Sequence, residues 1–247
     1  MKIPPISARS QRALLWVSII LANVYGYAFI MMMKFVPLPS PALDAEHVLA
    51  FYAAANLKFK LGVVLMLITG GWFTTYTAVL AMQMLRDENG APIWTCLFSF
   101  SALFQSFTLG YPPVAWATAA FTVDRLPELT LLIHEFGFMS YITPVAWYIF
   151  IMVSLAVICF SRKQDPENSA FPRWLGYVAL FSGISAEFGA MAVIFKQGPF
   201  AWNGLFPFYI PVIGYALWII CQSITLFKAI GKQERAELAA NAALASR

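Results

Sequence analysis

Six apolar runs recur along this chain, at about 13–34, 59–85, 93–122, 129–160, 174–195 and 205–227, and as helices rising about 1.5 Å per residue each reaches across a ~30 Å hydrocarbon layer. That pattern excludes a water-soluble globule. Only 11% of the 247 residues are charged, against about 25% in a soluble domain. The expected fold class is all-α: one polytopic membrane bundle of six transmembrane helices, a single domain over 1–247, in contact with membrane lipid. The first run follows Lys2, Arg9 and Arg12 and lacks a cleavage site after a short core, so it reads as a retained helix and not a signal peptide.

Several chemistries are closed off. The chain has two histidines, too few for a histidine-box di-iron centre. Cys96, Cys159 and Cys221 lie far apart in apolar segments, with no Cys-x-x-Cys pair to bind zinc or exchange disulfides. No Walker loop, nucleophile elbow or dinucleotide fingerprint is present, and no polar stretch is long enough to fold around ATP or NAD. No cofactor is indicated by the residues, so its identity stays unknown.

Lys and Arg flanks set the expected orientation, because they resist translocation. With the N-terminus inside, eleven lie on the cytoplasmic side: Lys2, Arg9, Arg12, Arg86, Arg162, Lys163, Arg173, Lys228, Lys232, Arg235 and Arg247. Five lie outside: Lys34, Lys58, Lys60, Arg125 and Lys196. Both termini are therefore expected in the cytoplasm. The net charge of +4 follows from topology and anionic lipid, and without basic clusters beside aromatics no nucleic-acid partner is expected.

Between the first two runs, Pro37-Leu38-Pro39-Ser40-Pro41 stiffens the chain, and Ser40 before Pro41 predicts a helix starting at Pro41. Apolar residues at Val48, Phe51, Tyr52, Ala55 and Phe59 make 41–58 an amphipathic outer segment, an interfacial anchor or a lid, with Gly62 as the place for a bend. Arg86 to Gly90 reads as a turn and Arg162 to Pro172 as a polar link. The alanine-rich tail, 228–247, predicts a cytoplasmic helix, and a neighbouring subunit is one candidate to hold it in place.

Ionisable groups inside a span cost ~2.5 to 3.5 kcal/mol near its centre, so Glu187, between Ser185 and Gly189, is expected to turn toward other helices. It suits proton coupling or a structural hydrogen bond to a neighbouring helix. His134 and Glu135 sit near the outer end of the fourth run and border a wet cavity if both face one. With His47 they form the one metal set that can be drawn, His47, His134 and Glu135, though spacing alone does not bring them together.

Gln105, Ser106 and Thr108 precede Tyr111-Pro112-Pro113, where two missing N–H groups predict a kink with freed carbonyls beside an interface or cavity; Pro144, Pro207 and Pro211 predict similar defects. Trp16, Trp94, Trp174 and Trp202 suit interfacial belts. Trp72, Trp147, Trp218, Tyr25, Tyr27 and Tyr76 lie deeper and are expected to point into the bundle, either as core or as the wall of a pocket for a flat hydrophobic molecule. Ala179, Gly183, Ala186 and Ala190 form a small-residue stripe that admits another helix, from this chain or a second copy. Met31-Met32-Met33 reads as apolar filler, since consecutive residues on a helix do not converge on one soft metal ion. In Gly198 to Gly204, a tight outer turn, Trp202 is expected at the interface and Asn203 as a cap for the last helix.

The phrases Phe171-Pro172-Arg173-Trp174-Leu175-Gly176-Tyr177 and Phe195-Lys196-Gln197-Gly198-Pro199-Phe200-Ala201-Trp202-Asn203-Gly204-Leu205 resemble a group of bacterial integral membrane proteins from actinobacteria and proteobacteria. Asp124-Arg125-Leu126-Pro127-Glu128-Leu129 and the proline-rich loop are similar too. The resemblance implies a bacterial inner-membrane location and a single multi-helix unit, and carries no activity with it. Glu187 and His134-Glu135 depart from that group's pattern.

The leading functional expectation is a non-catalytic membrane protein that binds or passes a small hydrophobic or aromatic molecule through an outward-opening, aromatic-lined bundle. Its expected ligand-binding residues are Glu187, His134, Glu135, Trp72, Trp147, Trp218, Tyr25 and Tyr76. The alternatives are a structural or accessory subunit of a homo-oligomer or membrane complex and, behind it, a membrane metalloenzyme.

Overall fold

The computed structural model describes residues 7–55, 57–88, 91–122, 124–161 and 170–245, and among these every regular element is helical. Six units are long and apolar enough to cross a membrane, as a multi-pass membrane protein requires: Ala8–Met32, Leu57–Asp87, Ile93–Phe121, Pro127–Phe160, Arg173–Val193 and Leu205–Ala243. We call them spans 1 to 6. Arg162, Lys163, Asn89, Gly90, Lys2 and Arg247, which entered the sequence reading, lie outside the described residues.

Span 1 is α1 (Ala8–Tyr27) with a π-helical last turn (Ala28–Met32). A short helix, α2 (Ala45–Ala53), lies in the following loop. Span 2 is α3 (Leu57–Thr69) and α4 (Trp72–Asp87), interrupted at Gly70-Gly71. Span 3 is α5 (Ile93–Gly110) and α6 (Pro112–Phe121), and span 4 is α7 (Pro127–Ile142) and α8 (Ala146–Phe160). Span 5 is α9 (Arg173–Ala186), which tightens into a 3₁₀ segment over Glu187–Val193. Span 6 opens with a π-helical turn, Leu205–Tyr209, and continues as α10 (Ile210–Ala245).

Each span packs on the next in chain order, and span 6 returns to span 1, so the six close into a ring. Spans 1 and 6 meet near the chain ends, where Trp16 lies on Phe227 at 5.0 Å and Arg12 pairs with Glu234 at 2.6 Å. We call this the terminal end and the opposite one the far end.

The terminal end is tied by buried amides. Gln83 Nε2 donates to Gln11 Oε1 at 2.6 Å, Gln11 Nε2 to Gln233 Oε1 at 3.2 Å, and Arg86 also donates to Gln233. Gln233 Nε2 reaches Glu237 Oε1 at 2.7 Å, and that carboxylate accepts from the Ala8 N–H, one of the donors a helix start leaves open. The tail helix is therefore held as far as Glu237 by α1 and α4 of its own chain. Glu88 likewise caps α5 through the N–H groups of Trp94 and Thr95, both at 2.9 Å.

The far-end loop corrects two expectations. Asp44, not Ser40, caps the short helix, accepting from the His47 N–H at 2.9 Å, so α2 begins at Ala45 and not at Pro41. Gly62 makes no bend, α3 running unbroken through it; its missing Cβ admits the Met32 and Met33 side chains, 2.9 Å from where that atom would stand, and span 2 instead breaks at Gly70-Gly71, where Gly70 lies against Gly110 of span 3. Span 6 is preceded by Gly204 with no side-chain cap from Asn203; the Phe206 N–H bonds the Pro199 carbonyl at 3.0 Å. Gly198 turns this loop with φ +82°, a region only glycine enters without strain.

Candidate functional site

Spans 2, 3 and 4 are interrupted and spans 1, 5 and 6 each change helix type, and these breaks in spans 3 to 6 border one another. Between them lies a cavity of about 160 Å³ whose wall includes Leu109, Pro144, Ala186, Pro207 and Pro211, a residue at or beside each break. Proline and tight turns cannot fill space as a regular helix does, and the gap they leave is the site. Among its lining residues Val212 of span 6 is 48% exposed.

The wall is rich in tyrosine. Tyr141, Tyr148 and Tyr215 line the cavity directly. The Tyr148 hydroxyl is bonded to Ser182 Oγ at 2.7 Å. Tyr25 stands behind, donating to the Leu109 carbonyl at 2.8 Å, with the Tyr141 hydroxyl beside it. An aromatic floor follows on the terminal side, with Trp218 5.8 Å from Tyr215 and 6.3 Å from Tyr148, and Trp72 6.2 Å from Tyr215. Tyr76 packs 6.0 Å from Trp218 and bonds to Ser223 Oγ at 3.2 Å.

Two polar atoms in this wall have no hydrogen-bond partner among the described residues, Gln105 Oε1 and the Tyr215 hydroxyl, although both are buried. The Gln105 amide orientation follows from its neighbour. Thr108 Oγ1 donates its proton to the Gln105 backbone carbonyl at 2.8 Å, so it can only accept from the Gln105 side chain, which places Nε2 on Thr108. Both atoms are shielded by the packing around them, so neither is offered to an occupant of the aromatic cage. A buried polar group without a partner loses about 1–3 kcal/mol relative to a bonded one.

Of the residues singled out from sequence, the structure brings Tyr25, Trp72, Tyr76 and Trp218 to this centre as its second layer. It does not bring the others. Glu187 is exposed on span 5, against the expectation that it turns inward. Ser182 and Ser185 hold the buried face of α9, and Glu187, two residues beyond, points nearly opposite at about 100° per residue. Trp147 is also exposed, stacked on Phe104 at 4.6 Å, because α8 gives the inward position to its neighbour Tyr148. Tyr27 is exposed for the same reason, two residues past Tyr25.

His134 and Glu135 go elsewhere. His134 is buried under α2, sharing a 3.0 Å hydrogen bond between its Nδ1 and the Tyr52 hydroxyl, and packed on Phe138 and Trp202. Glu135 pairs with Lys196 at 3.1 Å, and His47 pairs with Asp44 at 2.7 Å on the exposed side of α2. The three metal candidates therefore have three different partners, and no group of three or more His, Cys, Asp or Glu able to hold an ion exists among the described residues. Trp202, expected at the lipid interface, is buried and donates to the Pro39 carbonyl at 2.8 Å, pinning the two far-end loops together.

The first half of the small-residue stripe packs inside the chain, while Ala190 at its end is exposed. A Cβ on Gly183 would stand 2.8 Å from Met152 Cβ of α8, and Ala179 is fully buried. Sequence reasoning passed over Tyr141, Tyr148 and Tyr215. Their signal was present in the seven-residue interval between Tyr141 and Tyr148, one face of a helix bracketing Pro144, and in Tyr215 four residues after Pro211.

Comparison with known protein families, curated proteins and solved structures returns no match. The functional reading rests on the site itself.

Proposed function

We propose that this multi-pass membrane protein binds a small hydrophobic or aromatic molecule in the cavity formed where spans 3 to 6 break. The observation that carries the reading is the tyrosine-walled gap of about 160 Å³ at four helix breaks. A dry cavity of about 150 Å³ suffices for a benzene-sized ring. Aromatic walls hold a flat ring by area and by edge-to-face contact. The exposure of Val212 in its wall suits arrival from the bilayer, and the 11-to-5 division of Lys and Arg favours cytoplasmic termini in a bacterial inner membrane.

The test is thermal unfolding of the purified protein in lipid nanodiscs with toluene. A ligand that binds only the folded state raises Tm with the logarithm of one plus its free concentration over Kd. Wild type and Trp147→Ala should both respond, whereas Ala186→Leu, which fills the cavity wall, should lose the response. An equal response in Ala186→Leu, or none in wild type, contradicts the reading.

A further inference from the structure

We infer that a groove between spans 2 and 3 at the far end is a phospholipid site, which holds one acyl chain against the helices and the lipid phosphate at Lys60. The groove measures about 190 Å³ and lies between α3 and α6. Val63 and Ala120, both buried, line it together with Val64, Leu67 and Phe121, all exposed, so an occupant reaches its walls from the membrane. Span 2 begins at this end: Lys60 stands in the first turn of α3 and Leu67 seven residues further in, about 10 Å deeper at 1.5 Å per residue.

The lining sets the chemistry of the occupant. Lys60 is its single polar side chain; it is exposed and has no hydrogen bond or ion pair among the described residues. Beside it Phe121 is 86% exposed, more than any other large apolar residue described, and no ring packs on it among the described residues. A free anion would match Lys60 and leave the groove bare, whereas a hydrocarbon would fill the groove and ignore the cation. An amphiphile with its anion at the membrane boundary and a chain running inward uses both. A neighbouring helix, about 10–12 Å across, is too wide to enter. Since about 150 Å³ holds the six carbons of a benzene ring, 190 Å³ admits an alkyl chain of about eight carbons, which when extended covers the same two turns of α3. The groove shares no lining residue with the tyrosine cavity, so the two sites stand or fall separately.

The test is native mass spectrometry of the full chain, stripped of lipid in detergent and titrated with dioleoyl phosphatidylglycerol or with dioleoylglycerol, which has the same chains and no phosphate. In wild type the first phosphatidylglycerol should bind about fivefold tighter than dioleoylglycerol, the effect of one cation beside an anionic lipid. Lys60→Gln should erase that preference. Lys58→Gln should keep it, because Lys58 is exposed at the same level but lines no part of the groove and points about 200° away on α3. Both lysines are exposed, so neither change disturbs the packing. Ala117→Phe, which fills the groove from the α6 side, should lose the tight first adduct of both lipids. Equal losses in Lys60→Gln and Lys58→Gln overturn the site in favour of diffuse attraction, and unchanged binding in Ala117→Phe removes the groove from it. Displacement of phosphatidylglycerol by millimolar inorganic phosphate assigns a free-anion site instead, and a dimer without lipid adducts assigns a protein interface; either result contradicts the inference.

Discussion

The Tyr25 hydroxyl donates to the Leu109 carbonyl at 2.8 Å, reaching from span 1 to the carbonyl that Pro113, lacking an N–H, cannot satisfy four residues later. In lipid no water replaces that lost bond, so a side chain from another helix must. The kink of span 3 and the inward turn of Tyr25 are one feature. Replacing Tyr25 by Phe should lower unfolding stability by about 1–2 kcal/mol, the cost of an unpartnered buried carbonyl. Tyr27→Phe, at an exposed hydroxyl, should stay within about 0.5 kcal/mol of wild type. Denaturant unfolding in detergent compares the two.

Two glycines make an opposed pair. A Cβ on Gly137 would stand 2.6 Å from Trp116 Nε1, in a tight cluster with Phe35 and Phe138. Gly137→Ala should destabilise by about 1–3 kcal/mol through forced repacking. Gly26, in α1, has nothing within 4 Å of its Cβ position. Gly26→Ala should therefore stabilise, by up to about 1 kcal/mol, through helix propensity alone. Thermal unfolding of the two variants reads opposite signs.

The short helix α2 is held at both ends by groups whose protonation matters. The His47 N–H, and then the His47 ring, hold the Asp44 carboxyl below its usual range, so the cap is present above about pH 4 and is lost as pH falls below it. Burial raises the Tyr52 hydroxyl, so its contribution is present below about pH 10 and is lost as pH rises further. Hydrogen exchange of the α2 amides, corrected for intrinsic rate, should show greatest protection between those limits. Tyr52→Phe should remove the alkaline loss and Asp44→Asn the acid one.

At the terminal end, Gln83 joins α4 to Gln11 of α1 and Gln233 of α10. Gln83→Leu leaves the buried Gln11 acceptor short of its donor, at a cost of about 1–3 kcal/mol. Limited proteolysis should then cut within 233–243 at a lower protease concentration than in wild type, with the cavity's ligand response unchanged.

The six spans were legible because lipid leaves the chain few alternatives: apolar runs of that length fold as helices whatever their neighbours. The proline breaks were legible too, since the missing N–H groups act locally. Which face of each helix turns inward was not. Glu187 and Trp147 were judged by depth, yet direction depends on angular phase, and a shift of one or two residues moves a side chain from core to lipid. Tyr141 and Tyr215 were missed because each becomes a wall residue only when distant breaks meet, a relationship that no single segment carries. The Tyr52–His134 contact spans 82 positions and is invisible for the same reason.

The central claim, that a ring occupies the gap where spans 3 to 6 break, is tested most directly by locating iodine in crystals soaked with para-iodophenol. Anomalous density inside the cavity between Gln105 and Tyr215 is the predicted result; ordered iodine only at the lipid-facing surface, with the cavity unchanged, would contradict it.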